Sequence, residues 1–519
     1  MLAIRLKSFV PLLLALASVA AIQVAWAQKS RSEFHPVIPK TWDDAAMATL
    51  EVPLADPVGS PKHVPASYYY KIPVRPIYKQ YPVYSPGHEP PGYMGWLKRQ
   101  EPVIVWDDNG HKPPLNTEED WIKAGEIIFN SSPTTEAVLT VSHARSPEWW
   151  AKVGAKAAKD GTLPGYGYVI SEKGKVEVGD LACAACHTRV MPDGTVLKGA
   201  QGNFPFDHNA AVTLLSAEPG QVAKFAGLVE MDLFGAPWLK PDPQARLLKM
   251  PVAEIAATHA VIPPGVLARH RSSPFYPVQV PDLIGVKDLH YLDRTGLQQH
   301  HSIVDLMRYA ALNQGGDDLA SFDGFIPADF PHFKTLADPA SAGFVFHGRY
   351  SDEQLYALAL YVYSLKPPPN PNGFDAAAKR GQEIFNHEGC AGCHTPPLYT
   401  NNKLTIAEGF TPPPDAGKKY DILPVSVGTD PNLALKTRRG TGYYKVPSLR
   451  GVWYRGMFGH SGWCATLEDW FNRRRVQDDY VPTGFMPYGA KTYAVKGHPF
   501  GLDLSGDDKK ALIAFLKTL

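Results

Sequence analysis

Cys183-Ala184-Ala185-Cys186-His187 and Cys390-Ala391-Gly392-Cys393-His394 both read C-x-x-C-H, the pattern of covalent c-type haem attachment. Two residues between the thiols let both sulfurs reach the vinyl groups on one haem edge, and the next residue offers an imidazole to the iron. A redox dithiol or half of a zinc site uses the same thiols. A dithiol does not need the histidine, and a four-cysteine zinc site leaves both histidines unexplained. The spacing therefore predicts two covalently bound haem c groups, on Cys183, Cys186 and His187 and on Cys390, Cys393 and His394.

Working outward from the motifs, the chain compares with itself. Ala124 to Asn130 (AGEIIFN) resembles Arg380 to Asn386 (RGQEIFN), an amphipathic helix leading toward each motif. Val280 to Val286 (VPDLIGV) resembles Val446 to Val452 (VPSLRGV), and each is followed by a helical pattern, from Ser302 and from Thr466. Each copy closes on a helix with a serine N-cap and acidic first turn, from Ser351 and from Ser505. The expected fold is mainly α: two tandem cytochrome c-like haem domains with long loops, about 120 to 370 and 371 to 519. Residues 131 to 180 form an insertion in the first, where SPEWWAKVGAKAAK reads as an amphipathic helix over the first haem. Residues 28 to 119, rich in proline, read as an extended arm packed over both domains.

The N-terminus has Arg5 and Lys7, an apolar stretch, then Ala25-Trp26-Ala27 before Gln28. That order predicts a signal peptide over residues 1 to 27 and a periplasmic or secreted product with no membrane span after cleavage. The chain has 519 residues, enough for two or three domains. Its formal net charge of +1 gives no reason to expect nucleic acid as a partner. The 49 prolines and 44 glycines accompany 44% hydrophobic residues, which describes a folded chain with much loop.

Taken together, the paired C-x-x-C-H motifs, V-P-S-L-R-G-V, F-G-H-S-G (Phe458 to Gly462) and T-L-E-D-W (Thr466 to Trp470) resemble the bacterial di-haem cytochrome c peroxidase superfamily. That superfamily includes the di-haem enzyme maturing a tryptophylquinone cofactor and, more distantly, the rubber oxygenases. The resemblance spans about residues 120 to 519. It implies that peroxide or dioxygen meets the haem on His187, while the haem on His394 is six-coordinate and passes electrons from a small cytochrome c or cupredoxin. A rubber-oxygenase-like dioxygenase acting on an apolar substrate, or a pure electron-transfer cytochrome, are the alternatives.

The chain departs from the peroxidase pattern. Where those enzymes give a methionine to the C-terminal haem it has Arg474, which makes His460 the expected sixth ligand. Where they place a tryptophan between the haems it has Tyr291-Leu292-Asp293-Arg294, so Tyr291 either relays electrons or packs in the core. Arg455 and Met457 occupy the Thr-x-Pro positions, so calcium is not expected. In the aligned repeats Arg294 falls opposite His460; it either faces a bound oxygen species or pairs with a haem propionate. His208 is a candidate resting-state ligand of the first iron. Gln314 and Asp317, in LNQGGDD, are candidates for the distal acid-base group, although such a run is ordinarily a solvated turn. Arg438, Arg439, Tyr443 and Lys445 either anchor the second haem's propionates or form a charged surface loop. Cys464 reads as a buried thiol.

Overall fold

A computed structural model describes residues 33–50, 52–56, 62–136, 138–216, 222–236, 238–269, 272–315, 320–321 and 348–519. The expected signal segment, the side chain of Gln314 and Asp317 lie outside the described residues.

The helices that frame the two motifs are α1 (Glu118–Asn130), α2 (Ile303–Gly315), α3 (Asp352–Ser364), α4 (Ala376–His387) and α5 (Gly506–Lys517). Their starts follow from their caps. The side chains of Thr117, Ser351, Asp375 and Ser505 each accept the backbone N–H three residues on, satisfying a donor the first turn leaves open. Helix α1 crosses α3, and α4 crosses α5. Both crossings use the same device. A Cβ on Gly125 would overlap the carbonyl oxygen of Ala357, and one on Gly381 that of Ala511. One turn further, Phe129 meets Tyr361 with ring centroids 5.1 Å apart, and Phe385 meets Phe515 at 5.3 Å. The two sequence copies thus pack their helix pairs at corresponding residues.

Strand accompanies helix throughout. Strands β1 (Gln80–Tyr84), β2 (Thr134–Thr135), β3 (Thr162–Glu172) and β4 (Lys175–Asp180) form an antiparallel sheet in the order β1-β3-β4-β2. The insertion is therefore more than the expected helix. That helix covers only Pro147–Val153, capped by the Ser146 side chain and ended by Gly154 at φ 75°. Beyond it the β-branched and aromatic run of β3 turns back through Gly174 into β4.

Residues of the proline-rich arm contact both halves. Trp42 stacks on Tyr69 (4.6 Å between ring centroids) in a core shared with α1 and α3, and strand β1 extends the insertion's sheet. Val52 packs with Tyr291, Leu404 and Tyr443, and its N–H donates to Leu297 O at 2.8 Å. Among the described residues no helix is long and apolar enough to cross a membrane.

Candidate functional site

The two C-x-x-C-H motifs border separate cavities, of about 130 Å³ on the first and about 220 Å³ on the second. In each, the V-P repeat holds the histidine. His187 Nδ1 lies 3.1 Å from Pro281 O; His394 Nδ1 lies 3.1 Å from Pro447 O and 3.1 Å from Tyr399 O. An Nδ1–H donated to a carbonyl leaves Nε2 as the nitrogen with a free lone pair, the form a metal ligand needs. Burial pulls His187 down to about 4 and lowers His394 too, keeping both rings neutral. The sequence displayed the V-P repeat without its purpose: its proline carbonyl orients each motif histidine.

The apolar walls repeat as well. Phe129 and Phe385, Leu283 and Leu449, Leu358 and Leu512, and Val362 and Leu516 are equivalent positions of the two copies, and each lines its own cavity. The motifs differ in cover. Strand β3 runs against the first motif so closely that a Cβ on Gly165 would strike the Ala184 backbone, and Ala184, Ala185 and Cys186 are buried. At the second motif Cys390, Ala391 and Cys393 are half-buried and Gly392 is exposed. Cys393 also borders an open surface cleft with Val425 and Phe500.

Histidines mark a second difference. Besides His187, none of the described residues lining the first cavity is a histidine, whereas the second holds His394, His460 and His498. His460 stacks on Tyr444 (4.0 Å, 14° between planes) and meets Trp463 edge-on; its Nε2 is buried without a protein partner. His498 went unread in the sequence, although Gly497-His498-Pro499-Phe500-Gly501 has the glycine-flanked form of Gly459-His460-Ser461-Gly462. Its ring centroid lies 6.4 Å from that of His394, and its Nδ1 is buried without a protein partner. With metal–imidazole bonds of about 2 Å, two axial imidazoles on one metal stand roughly 6 Å apart by centroid.

His208 does not line the first cavity; its Nδ1 is 3.3 Å from Val153 O, within the insertion. Tyr291 lines neither cavity, and its hydroxyl accepts from Asp421 N at 2.8 Å. Arg294 lines both cavities. The basic run divides: Arg439 lines the first cavity, paired with Asp293 and 2.9 Å from Tyr309 Oη, whereas Lys445 lines the second. Arg455 lines the second, with its Nε 4.0 Å from Asp282. Burial, then Arg294, pulls Lys445 down to about 7. Arg474 is exposed and paired with Asp479 at 2.9 Å. Cys464 is buried, its thiol pushed up to about 12 by burial, and it lines neither cavity.

These residues fit haem c. Each cavity sets a C-x-x-C pair beside a neutral imidazole and an apolar slot, and the buried polar atoms without a protein hydrogen-bond partner include His460 Nε2, His498 Nδ1 and Arg439 Nε. Such atoms cost free energy unless a bound group meets them. Among the described residues no three His, Cys, Asp or Glu side chains gather as for a separate metal ion.

No known family profile matches the chain, and no curated protein does. Among solved structures, hydrazine synthase from Kuenenia stuttgartiensis, pressurised with xenon, aligns at TM-score 0.30 and 15% identity, over 60% of this chain and 92% of that one. A MauG-like protein associated with microbial copper homeostasis aligns at TM-score 0.21 and 19% identity, over 32% and 56%. At such scores neither likeness bears on function.

Proposed function

We propose that the chain is an exported oxidoreductase with two cytochrome c-like haem domains, of the di-haem peroxidase type, reducing peroxide at the first cavity with electrons received at the second. The observation that carries this reading is the asymmetry between two otherwise repeated cavities: one further pair of imidazoles in the second, none in the described walls of the first. When bound, haem would supply an iron that exchanges electrons and, where a coordination position is open, takes an oxygen species. Peroxide reduction consumes two electrons and two protons and gives two waters.

The chain's own residues would divide the work. Cys183, Cys186 and His187, and Cys390, Cys393 and His394, hold the two groups; Pro281 and Pro447 fix the ring orientations. His498, facing His394, would help hold the second group in place of the expected His460, which stands in the same cavity against Tyr444 and Trp463. The half-buried second motif, with its open cleft, suits a small electron-donor protein, and the β3 cover keeps the first motif from the same contact.

One observation favours a second reading, a dioxygenase acting on an apolar substrate. Among the described residues the carboxylate lining the first cavity is Asp293, and it is tied to Arg439, which holds it below its usual range against the upward pull of burial. A carboxylate so paired is a poor proton donor for peroxide cleavage.

The test starts with the mature protein made in a host that attaches haem c. Two covalent haems are expected, one high-spin and reactive with carbon monoxide on reduction, one low-spin. Two low-spin haems that both refuse carbon monoxide would sink either enzyme reading. Peroxide turnover with a reduced cytochrome, set against oxygen uptake on polyisoprenoid, then separates the two. His498→Ala should turn the low-spin signal high-spin while His460→Ala leaves it low-spin; the reverse result returns the ligand to His460.

A further inference from the structure

Arg294 sits in the wall between the cavities. Asp293 and Val280, its neighbours in chain and space, line the first cavity; Gln279 lines the second. The guanidinium reaches back over this partition, with Nε 3.5 Å from Gln279 O and Nη2 3.5 Å from Val280 O. These two contacts are at the outer limit of hydrogen bonding and leave most of its five donors unused. It is buried at 9% exposure, and among the described residues no carboxylate forms an ion pair with it. The neighbouring carboxylates are engaged elsewhere: Asp293 with Arg439, and Asp282 with Tyr454 Oη at 2.7 Å and Arg455. Arg455 and Lys445 face the second cavity and Arg439 the first, so each of these serves one side.

A buried cation with no carboxylate in ion-pair contact is costly, by several kcal/mol in general, and persists where an anion is supplied. Resting on the reading that each cavity takes a haem, we propose that Arg294 is a positioning residue shared by both groups: its planar fork donates to a propionate from each side and ties the two redox centres through one charge. Arginine suits this because its donors point in several fixed directions at once, whereas a lysine ammonium is a compact point charge. The shared cation stands in the partition, whereas Tyr291, read from the sequence as either a relay or core packing, lines neither cavity.

A positive charge beside a haem favours its reduced form, so its removal lowers the reduction potential. In the two-haem protein, Arg294→Gln should lower both midpoint potentials, each by about 59 mV or more, tenfold in a one-electron equilibrium. Arg455→Gln should lower the second haem's potential alone. Arg294→Lys keeps the charge without the fork and should restore one potential only. Spectroelectrochemical titration, with the haems told apart by spin state, reads all three. If Arg294→Gln moves one potential or neither, the shared role is overturned. Should Arg294→Gln fail to accumulate, Arg294→Lys decides: two wild-type potentials from it overturn the proposal equally. A wild-type protein lacking two covalent haems would refute the underlying reading instead, and is distinguished by haem content before any titration.

Discussion

The two cavities are built from one plan and finished differently. In both, a helix pair closes over a glycine, a V-P proline carbonyl turns the proximal imidazole, and four matched apolar residues line the slot. In the first motif Ala184 to Cys186 are then buried beneath strand β3, with Cys183 and His187 half-buried, while in the second Cys390 to Cys393 stay half-buried or exposed and the cavity gathers two more histidines. What repeats is what any haem c needs, and what differs is what decides access and ligation. Duplication can thus leave the holding device constant while an insertion such as the β3 cover and a single added residue such as His498 make the two sites differ.

The largest effect should come from the partition itself, on the first side. Asp293 is buried against Arg439, and its φ of 74° is a conformation asparagine tolerates, so Asp293→Asn removes the charge with little backbone strain. Leaving Arg439 buried and uncompensated should cost about 3–5 kcal/mol in a denaturation experiment. Because Arg439 depresses the Asp293 carboxyl while burial opposes it, the pair's contribution is complete above the ordinary carboxylate pKa of about 4 and is lost as pH falls below it. Asp282→Asn, which removes the partner of the second cavity's Arg455, should cost less, about 1–3 kcal/mol, since asparagine's oxygen can still accept from Tyr454. Equal losses would mean that the two sides of the partition are electrostatically alike.

The helix crossings should respond in the opposite way, identically. Gly125→Ala and Gly381→Ala each thrust a methyl into a backbone carbonyl, an obstacle that cannot rotate aside. Each should destabilise by about 1–3 kcal/mol, despite alanine's better helix propensity. A neutral outcome at one site would show that the crossings are not equivalent.

That equivalence was legible because it resides in short-range pattern. The glycine and phenylalanine of AGEIIFN and RGQEIFN, the serine caps and the V-P elements stand at matched spacings that survive duplication. What the sequence concealed was where long excursions go. The Trp-rich segment from Ser146 reads as a helix, yet the aromatic and β-branched run of T-L-P-G-Y-G-Y-V-I-S-E makes the sheet that covers Ala184. His208 is a candidate only through its nearness to the first motif in the chain, since the family spacing falls on Asn203, and nearness in sequence cannot show that its ring lies against Val153 O within the insertion. His498 lies far along the chain from Cys393, so no local spacing ties it to His394; only its resemblance to the glycine-flanked His460 could have nominated it. Gln314 and Asp317 fall where the structure gives no side-chain description.

The smallest expected effect is also informative about ligation. Arg474 occupies the position at which the resemblance would supply a methionine, yet its side chain is 69% exposed and bound to Asp479. An exposed ion pair of this kind contributes under about 1 kcal/mol. Arg474→Met should therefore leave stability within that margin and, on the two-haem reading, should leave the second haem's spectrum unchanged, because a side chain pointing into solvent does not reach the second cavity. A new near-infrared methionine–iron band in that variant would show that the loop from Thr466 swings inward when haem is present. The second cavity's ligand would then have to be read from the loop rather than from His498.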